Sequence, residues 1–265
     1  MKILCAGLRE KRSGKTTLTC ALLRYFLEHN ENICGFKPRS GNNLWDHWIF
    51  LEKKLKSGLL YSTDVEKYLK ELNNSIPIYL LNPVHRLWLP STYNKNWSEL
   101  PNFLMDRISL DDKQIIALNQ KVKSPVNLDI FQELFKKSEI LNIKSREDLN
   151  SLSEYYKKAE REAILQLDKK FENLIVESYA DIGLPLEINS NFDYVFVIEP
   201  FKITIYDGER YFQSSRLVSS FRIEQKTDEI IEPIKAIKTF KIPLNNSDVI
   251  ENIKVIIAPF LDKLL

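Results

Sequence analysis

The sequence predicts an α/β fold: an open, largely parallel sheet with helices on both faces. Short apolar runs of strand length recur at Ile3–Gly7, Ile33–Phe36, Leu174–Glu177 and Tyr194–Ile198. Amphipathic stretches of helix length lie between several of them. The first strand, a loop, a helix and the second strand fit into about 36 residues, the size of one βαβ unit.

Taken in order, Ile3–Gly7 reads as a buried strand because its apolar run stops at a glycine. Thr16–His29 reads as a helix, with Leu18, Ala21, Leu22, Tyr25 and Phe26 on one apolar stripe. Ile33–Phe36 is the second strand. Asn43–Lys70 and Leu128–Glu172 are rich in Leu, Lys and Glu, and both read mainly as helix. Glu147–Lys170 is the clearest, with Leu149, Leu152, Tyr156 and Ala159 at helical spacing. Ile78–Leu89 and Phe103–Val122 read as strands or hairpin pieces. Leu174–Glu177 and Tyr194–Ile198 return to the buried-strand pattern. Ile203–Phe212 predicts a hairpin around Asp207-Gly208, a type I′ turn signal. Ile237–Ile242 is a further strand and Asp248–Leu265 a closing amphipathic helix. No internal repeat or low-complexity linker marks a boundary. The expected organisation is a single domain over 1–265, with a large helix-rich insertion within 47–172.

At 265 residues the chain is long enough for one sizeable α/β domain. A formal net charge of only +2 supplies no global electrostatic drive toward nucleic acid or an anionic membrane. Cys5, Cys20 and Cys34 sit in apolar segments without a CxxC pair, as buried thiols in a reducing compartment do. The N-terminal apolar run is too short for a signal peptide, and no stretch approaches membrane-spanning length. The expected compartment is the cytoplasm. Of seven glycines, Gly7, Gly14, Gly35 and Gly41 fall in the N-terminal segment, which directs attention there.

Ser13-Gly14-Lys15-Thr16-Thr17 lies between the first strand and the first helix. A phosphate loop has this context: its backbone N–H groups point inward, its Lys reaches the terminal phosphates, and its Ser/Thr hydroxyl ligates Mg²⁺. Gly14 lets the backbone come close, Lys15 neutralises charge, Thr16 is the expected metal ligand and Thr17 an α-phosphate contact. Arg12 and Ser13 complete the expected nucleotide-binding set. The expected ligands are ATP and Mg²⁺, and the expected fold is that of a P-loop NTPase. The usual G-x-x-x-x-G-K-[ST] pattern puts a glycine at position 9; Arg9 stands there, and the nearest upstream glycine is Gly7. The competing reading is a chance Gly-Lys-Thr at a helix start capped by Ser13.

Strand ends supply the other candidates, because ligands of open α/β sheets bind at that edge. Lys37 is the expected cation for a bound carboxylate or phosphoryl group, and Arg39 could share the task. Glu177 follows an apolar run directly, and a buried carboxylate is paired or used; a role at Mg²⁺ is expected, with Asp181 behind it. Asp46, in the crowded segment Trp45-Asp46-His47-Trp48, is a metal candidate, with a helix cap at Asn42 or Asn43 and core tryptophans as the alternative. His47 is a weaker candidate, Glu199 is another strand-end carboxylate, and His85 reads as structural or surface.

Cys34-Gly35-Phe36-Lys37-Pro38-Arg39-Ser40-Gly41 resembles the second-strand segment of dethiobiotin synthetase, where a Gly-x-Lys-Pro run precedes Ser-Gly. Leu174-Ile175-Val176-Glu177-Ser178-Tyr179-Ala180-Asp181 resembles that family's third strand. The wider class, often called SIMIBI, includes partition and cell-division-site ATPases and cobyrinic acid amide synthases. The resemblance implies that Lys15 contacts the triphosphate, Lys37 holds a substrate carbamate, Glu177 lies near Mg²⁺ and Asp46 ligates it. It also implies ATP-coupled ring closure on a diamine. The gap between Lys37 and Glu177 is much longer than in the family, and Ser-Tyr-Ala-Asp follows Glu177 in place of a glycine-rich stretch. Partition-type ATPases carry an extra loop lysine where this chain has Glu10, and a homodimer is left open. Three functions follow: a ligase-like enzyme using ATP on a small-molecule carboxylate or carbamate, a nucleotide-switch ATPase with a protein partner, or a protein that binds nucleotide for structure alone.

Overall fold

The computed structural model describes residues 1–9, 12–73, 75–93, 100–186, 192–218, 224–243 and 248–265. The chain starts with β1 (Lys2–Gly7), α1 (Lys15–Glu28), β2 (Ile33–Phe36) and β3 (Arg39–Asn43). It continues through α2 (Trp48–Leu55), α3 (Thr63–Glu71), α4 (Ile78–Leu81), β4 (Val84–Trp88), β5 (Phe103–Ser109) and β6 (Gln114–Asn119). A 3-10 turn at Leu128–Phe131 leads into α5 (Gln132–Phe135), followed by β7 (Glu139–Ile143), α6 (Arg146–Lys170) and β8 (Asn173–Glu177). The last elements are β9 (Tyr194–Glu199), β10 (Lys202–Asp207), α7 (Gly208–Val218), α8 (Thr227–Ile231), β11 (Lys238–Lys241) and α9 (Val249–Leu261). Among the described residues no helix is long and apolar enough to cross a membrane.

The chain divides into two compact units: Met1–Pro38, Lys67–Ile76 and Leu167–Leu265 form the first, Arg39–Glu66 and Pro77–Gln166 the second. The span expected to hold an insertion, 47–172, is therefore shared between them.

The first unit is built on a six-stranded mixed sheet in the order β11-β10-β9-β1-β8-β2. β2, β8, β1 and β9 run parallel, and β10 and β11 add antiparallel at the far edge. The parallel strands are apolar along most of their length because both faces are covered. Leu4, Cys5, Ala6, Ile175, Val176, Val195 and Phe196 are all buried. Leu18, Leu22 and Phe26 carry the buried stripe of α1, and each such side chain removed from water contributes about 1.5–3 kcal/mol. The register sets Cys5 beside Glu177 and Phe36 beside Val176. The C-terminal ends of β1, β8 and β2 thus open on one edge, where Gly7, Glu177 and Lys37 lie.

The hairpin expected around Asp207-Gly208 is not there. β10 ends at Asp207 and α7 begins at Gly208. The Asp207 carboxylate accepts from the Arg210 backbone N–H at 2.9 Å, so the aspartate acts as a helix cap rather than a turn residue. Gly208 is required by close approach: a Cβ there would stand 1.7 Å from the Phe192 carbonyl oxygen. The hairpin lies one strand earlier, between β9 and β10, and turns at Phe201 with φ 68°.

The second unit carries a five-stranded mixed sheet in the order β3-β4-β5-β6-β7: β4, β5 and β6 lie within the expected strand pieces Ile78–Leu89 and Phe103–Val122, whereas β7 falls in a span read as helix. β3∥β4 and β6∥β7 are parallel pairs flanking two antiparallel ones. The Arg-Ser-Gly-Asn-Asn of β3 has no apolar alternation, and Glu139–Ile143 of β7 shares the Glu/Leu composition of helices; both strands are made by pairing rather than by propensity. Alternate residues of β6 enter opposite clusters, Ile116 with Leu51, Leu55, Leu87 and Phe131, and Ile115 and Ala117 with Leu152 and Ala159 of α6. Arg86 forms a bidentate pair with buried Asp106 at 2.7 and 2.6 Å.

Candidate functional site

The loop after β1 folds back over the end of its own strand. A Cβ on Gly7 would stand 2.5 Å from Ser13 Oγ, 3.0 Å from Lys15 Nζ and 3.1 Å from Lys15 Cγ. Gly7, two positions before the usual one, is thus the residue over which this loop closes. Gly14 has φ 102°, a left-handed conformation that favours glycine, and a Cβ there would stand 2.9 Å from Ile198 Cδ1. α1 begins at Lys15 with Gly14 as its N-cap and no side-chain cap, so Ser13 does not cap it. The first-turn amides of this 14-residue helix form the kind of N-terminus that suits an anion.

Lys15 is buried at 7% exposure, and its ammonium donates to the Ala180 carbonyl at 2.5 Å, to Ser13 Oγ at 3.2 Å and to the Arg9 carbonyl at 3.4 Å. Ala180 itself has φ 47°, so the turn after β8 holds a left-handed residue that aims its carbonyl at the lysine. Arg12 is exposed with φ 55°, Ser13 is buried and Thr17 is half-buried.

Glu177 is 1% exposed and fully engaged. Its Oε1 accepts from the Thr16 hydroxyl at 3.0 Å and from the Lys37 ammonium; its Oε2 accepts from the Tyr68 hydroxyl. Thr16 comes from α1, Lys37 from the end of β2 and Tyr68 from α3. Tyr68 is separated from Glu177 by 109 residues, and no local pattern marks it in the sequence. Its ring lies across β2 at Gly35, where a Cβ would meet Tyr68 Cδ2 at 3.2 Å. That explains a glycine inside a strand, the only hint the sequence holds. Ser178 follows Glu177, and its Oγ is buried without a hydrogen-bond partner among the described residues.

The remaining candidates take other partners. Asp181 pairs with Lys226 at 2.8 Å and Glu199 with Lys202 at 2.6 Å. Asp46 belongs to the second unit and is exposed at the turn ahead of α2, where Asn43 Oδ1 accepts its backbone N–H at 3.3 Å. His47 Nδ1 is 3.2 Å from the Asn43 carbonyl. Trp45, a core alternative in the sequence, is 79% exposed, and Trp48 packs on the core. Arg39 pairs with Glu160 in the second unit. His85 is buried against Ser40 Oγ at 2.8 Å, which makes it structural. Glu10 lies outside the described residues. Burial pushes the Cys5 and Cys34 thiols well above their usual range, which leaves them inert.

The donor set fits a triphosphate with a hard cation. A left-handed glycine, an uncapped helix start and a buried lysine suit phosphate oxygens. The Thr16 hydroxyl and the Glu177 carboxylate are oxygen donors of the kind Mg²⁺ takes. Among the described residues no group of three or more His, Cys, Asp or Glu could hold a metal. Mg²⁺ at phosphate sites keeps water and phosphate oxygens for most of its shell, so a two-donor corner is enough.

Comparison with protein-family models found no match, and none of the curated proteins compared with the chain matches it.

Replacing Gly7 with alanine tests the folded-back loop. The added Cβ displaces the ends of Ser13 and Lys15, which are flexible, so urea unfolding should show a loss of about 1 kcal/mol or less. Any melting-temperature rise with ATP–Mg²⁺ should fall by more than half. An unchanged ligand response would show that the loop does not need this approach.

Proposed function

We propose that the first unit is a P-loop nucleoside triphosphate site taking ATP with Mg²⁺, and that the protein is a ligase-like enzyme activating a carboxylate or carbamate. The observation that carries the reading is the convergence of Lys15, Thr16, Lys37 and Glu177 at the open edge of one sheet. The resemblance of the Lys37-Pro38 and Glu177 segments to dethiobiotin synthetase supports the same reading. The γ-phosphoryl group supplies the activation: its bond to ADP breaks as it joins a carboxylate or carbamate oxygen, an amine nitrogen then attacks the carbonyl carbon, and phosphate leaves while the nitrogen's proton passes to solvent.

In this scheme Lys15 and the first-turn amides of α1 hold the phosphates and offset their charge. Thr16 and Glu177 present oxygens to the cation. Lys37 supplies positive charge for the acceptor's anionic oxygen. Positioning and charge neutralisation provide the catalysis, as they do in phosphoryl transfer generally.

Phosphate release from ATP–Mg²⁺, followed with and without candidate amines and carboxylates, tests the enzyme. Release should be slow alone and accelerate at least tenfold with a matching acceptor. Steady hydrolysis indifferent to every small molecule would count against a ligase and favour a nucleotide switch with a protein partner. The second unit, with its own sheet and two apolar clusters, supports that second reading, since it offers a body a partner could engage.

A further inference from the structure

We propose that the Lys37 ammonium is a resident counter-ion that keeps divalent cations out of the Glu177–Thr16 corner until a nucleotide brings one in. The inference rests on the nucleotide reading for its purpose, but its test needs no nucleotide. Glu177 is 1% exposed, and a carboxylate so buried must be neutralised or paired in the ligand-free protein. The group that does this is Lys37, whose side chain is 6% exposed. Its ammonium sits on Oε1, the same oxygen that accepts the Thr16 hydroxyl.

That shared oxygen decides the matter. A hard cation seeking the Thr16 hydroxyl and this carboxylate would need the place the ammonium holds. Two cations a few ångströms apart in a buried site repel by several times thermal energy. Lys37 and a divalent ion therefore exclude each other at Oε1. The other oxygen stays fixed, because the Tyr68 hydroxyl holds Oε2 and its ring is packed over Gly35. Glu177 is thus anchored on one side while its inner oxygen can change partner. Lysine suits the exchange: its charge rides on a flexible four-carbon stem, and once released it can meet an incoming anion. Free cation at ordinary concentration then finds no vacant carboxylate, and the cation enters only with phosphate oxygens that complete its shell.

The experiment uses the full chain as wild type, Lys37→Met, Glu177→Gln and the double variant, melted with and without MnCl₂ and no nucleotide. Wild type should not respond to Mn²⁺. Lys37→Met should melt lower than wild type without metal. Mn²⁺ at about 100 times its Kd should then raise that melting temperature by roughly 5 °C or more. Glu177→Gln and the double variant should show no Mn²⁺ response. If Lys37→Met does not fold alone, refolding it with and without Mn²⁺ makes the same comparison, with recovery expected only in Mn²⁺. A wild-type response equal to that of Lys37→Met would overturn the proposal. So would the lack of any response in Lys37→Met, or an equal response in the double variant. Failure of the nucleotide reading shows separately, as wild type unmoved by ATP–Mg²⁺.

Discussion

On the proposed nucleotide reading, Lys15→Ala should remove nearly all of the thermal stabilisation expected from ATP–Mg²⁺. Charge-assisted hydrogen bonds to phosphate contribute about 1.5–3 kcal/mol each, so losing the ammonium should cost roughly 100-fold in affinity. At ligand about 100 times the wild-type Kd, binding stabilises wild type by about 2.7 kcal/mol, and the variant by only about 0.4 kcal/mol. For a chain of this size that is roughly 5–10 °C against about 1 °C. The ligand-free variant should melt close to wild type, because Lys15 donates to the Ala180 carbonyl and Ser13 Oγ, acceptors that can be hydrated in its absence. This control separates lost binding from lost folding. A wild-type-sized shift in the variant would remove the phosphate loop from consideration, whatever the fold.

The second large effect concerns stability without any ligand. Glu177→Ala leaves the Lys37 ammonium buried beside an apolar methyl, and strips the Thr16 and Tyr68 hydroxyls of their acceptor. Breaking a buried ion pair from one side costs about 3–5 kcal/mol, mostly for the stranded charge. Lys37→Met strands the carboxylate instead and should cost a similar amount. Changing both at once removes the charges together, so the double variant should be more stable than either single one. Urea unfolding of all four proteins gives the coupling, expected to exceed about 3 kcal/mol because the double variant loses less than either single one. Additive losses would mean the two side chains do not share one energetic unit.

These two sites were not equally legible. The loop between β1 and α1 was read from local signals, and β1, α1 and β2 lie within a residue of the expected Ile3–Gly7, Thr16–His29 and Ile33–Phe36. Each is an apolar run or stripe bounded by a glycine or polar turn, so the information sits within a few residues. The misread hairpin at Asp207-Gly208 shows the limit of that method. Asp-Gly suits a type I′ turn, yet it equally suits a helix cap followed by a glycine pressed against another backbone. Only the contact with Phe192 distinguishes them. In the second unit β4, β5 and β6 lie where strand pieces were expected, and the two outer strands were missed for a different reason. Its β3 and β7 have sequences without strand character, and they exist because β4 and β6 offer partners.

By itself the sequence determined that a glycine-bounded loop would join a buried strand to an amphipathic helix, and that Lys37 and Glu177 would end strands, since the apolar runs stop at them. Tertiary structure decided what those residues touch. The parallel register of β1, β8 and β2 brings both strand ends to one edge, so Lys37 and Thr16 reach the same carboxylate oxygen. The fold also brings Tyr68 across Gly35 to the other oxygen, from 109 residues away in the chain. Hydrophobic pattern is a property of neighbours in sequence and can be read there. The partners of a buried charge are neighbours in space, and only packing selects them.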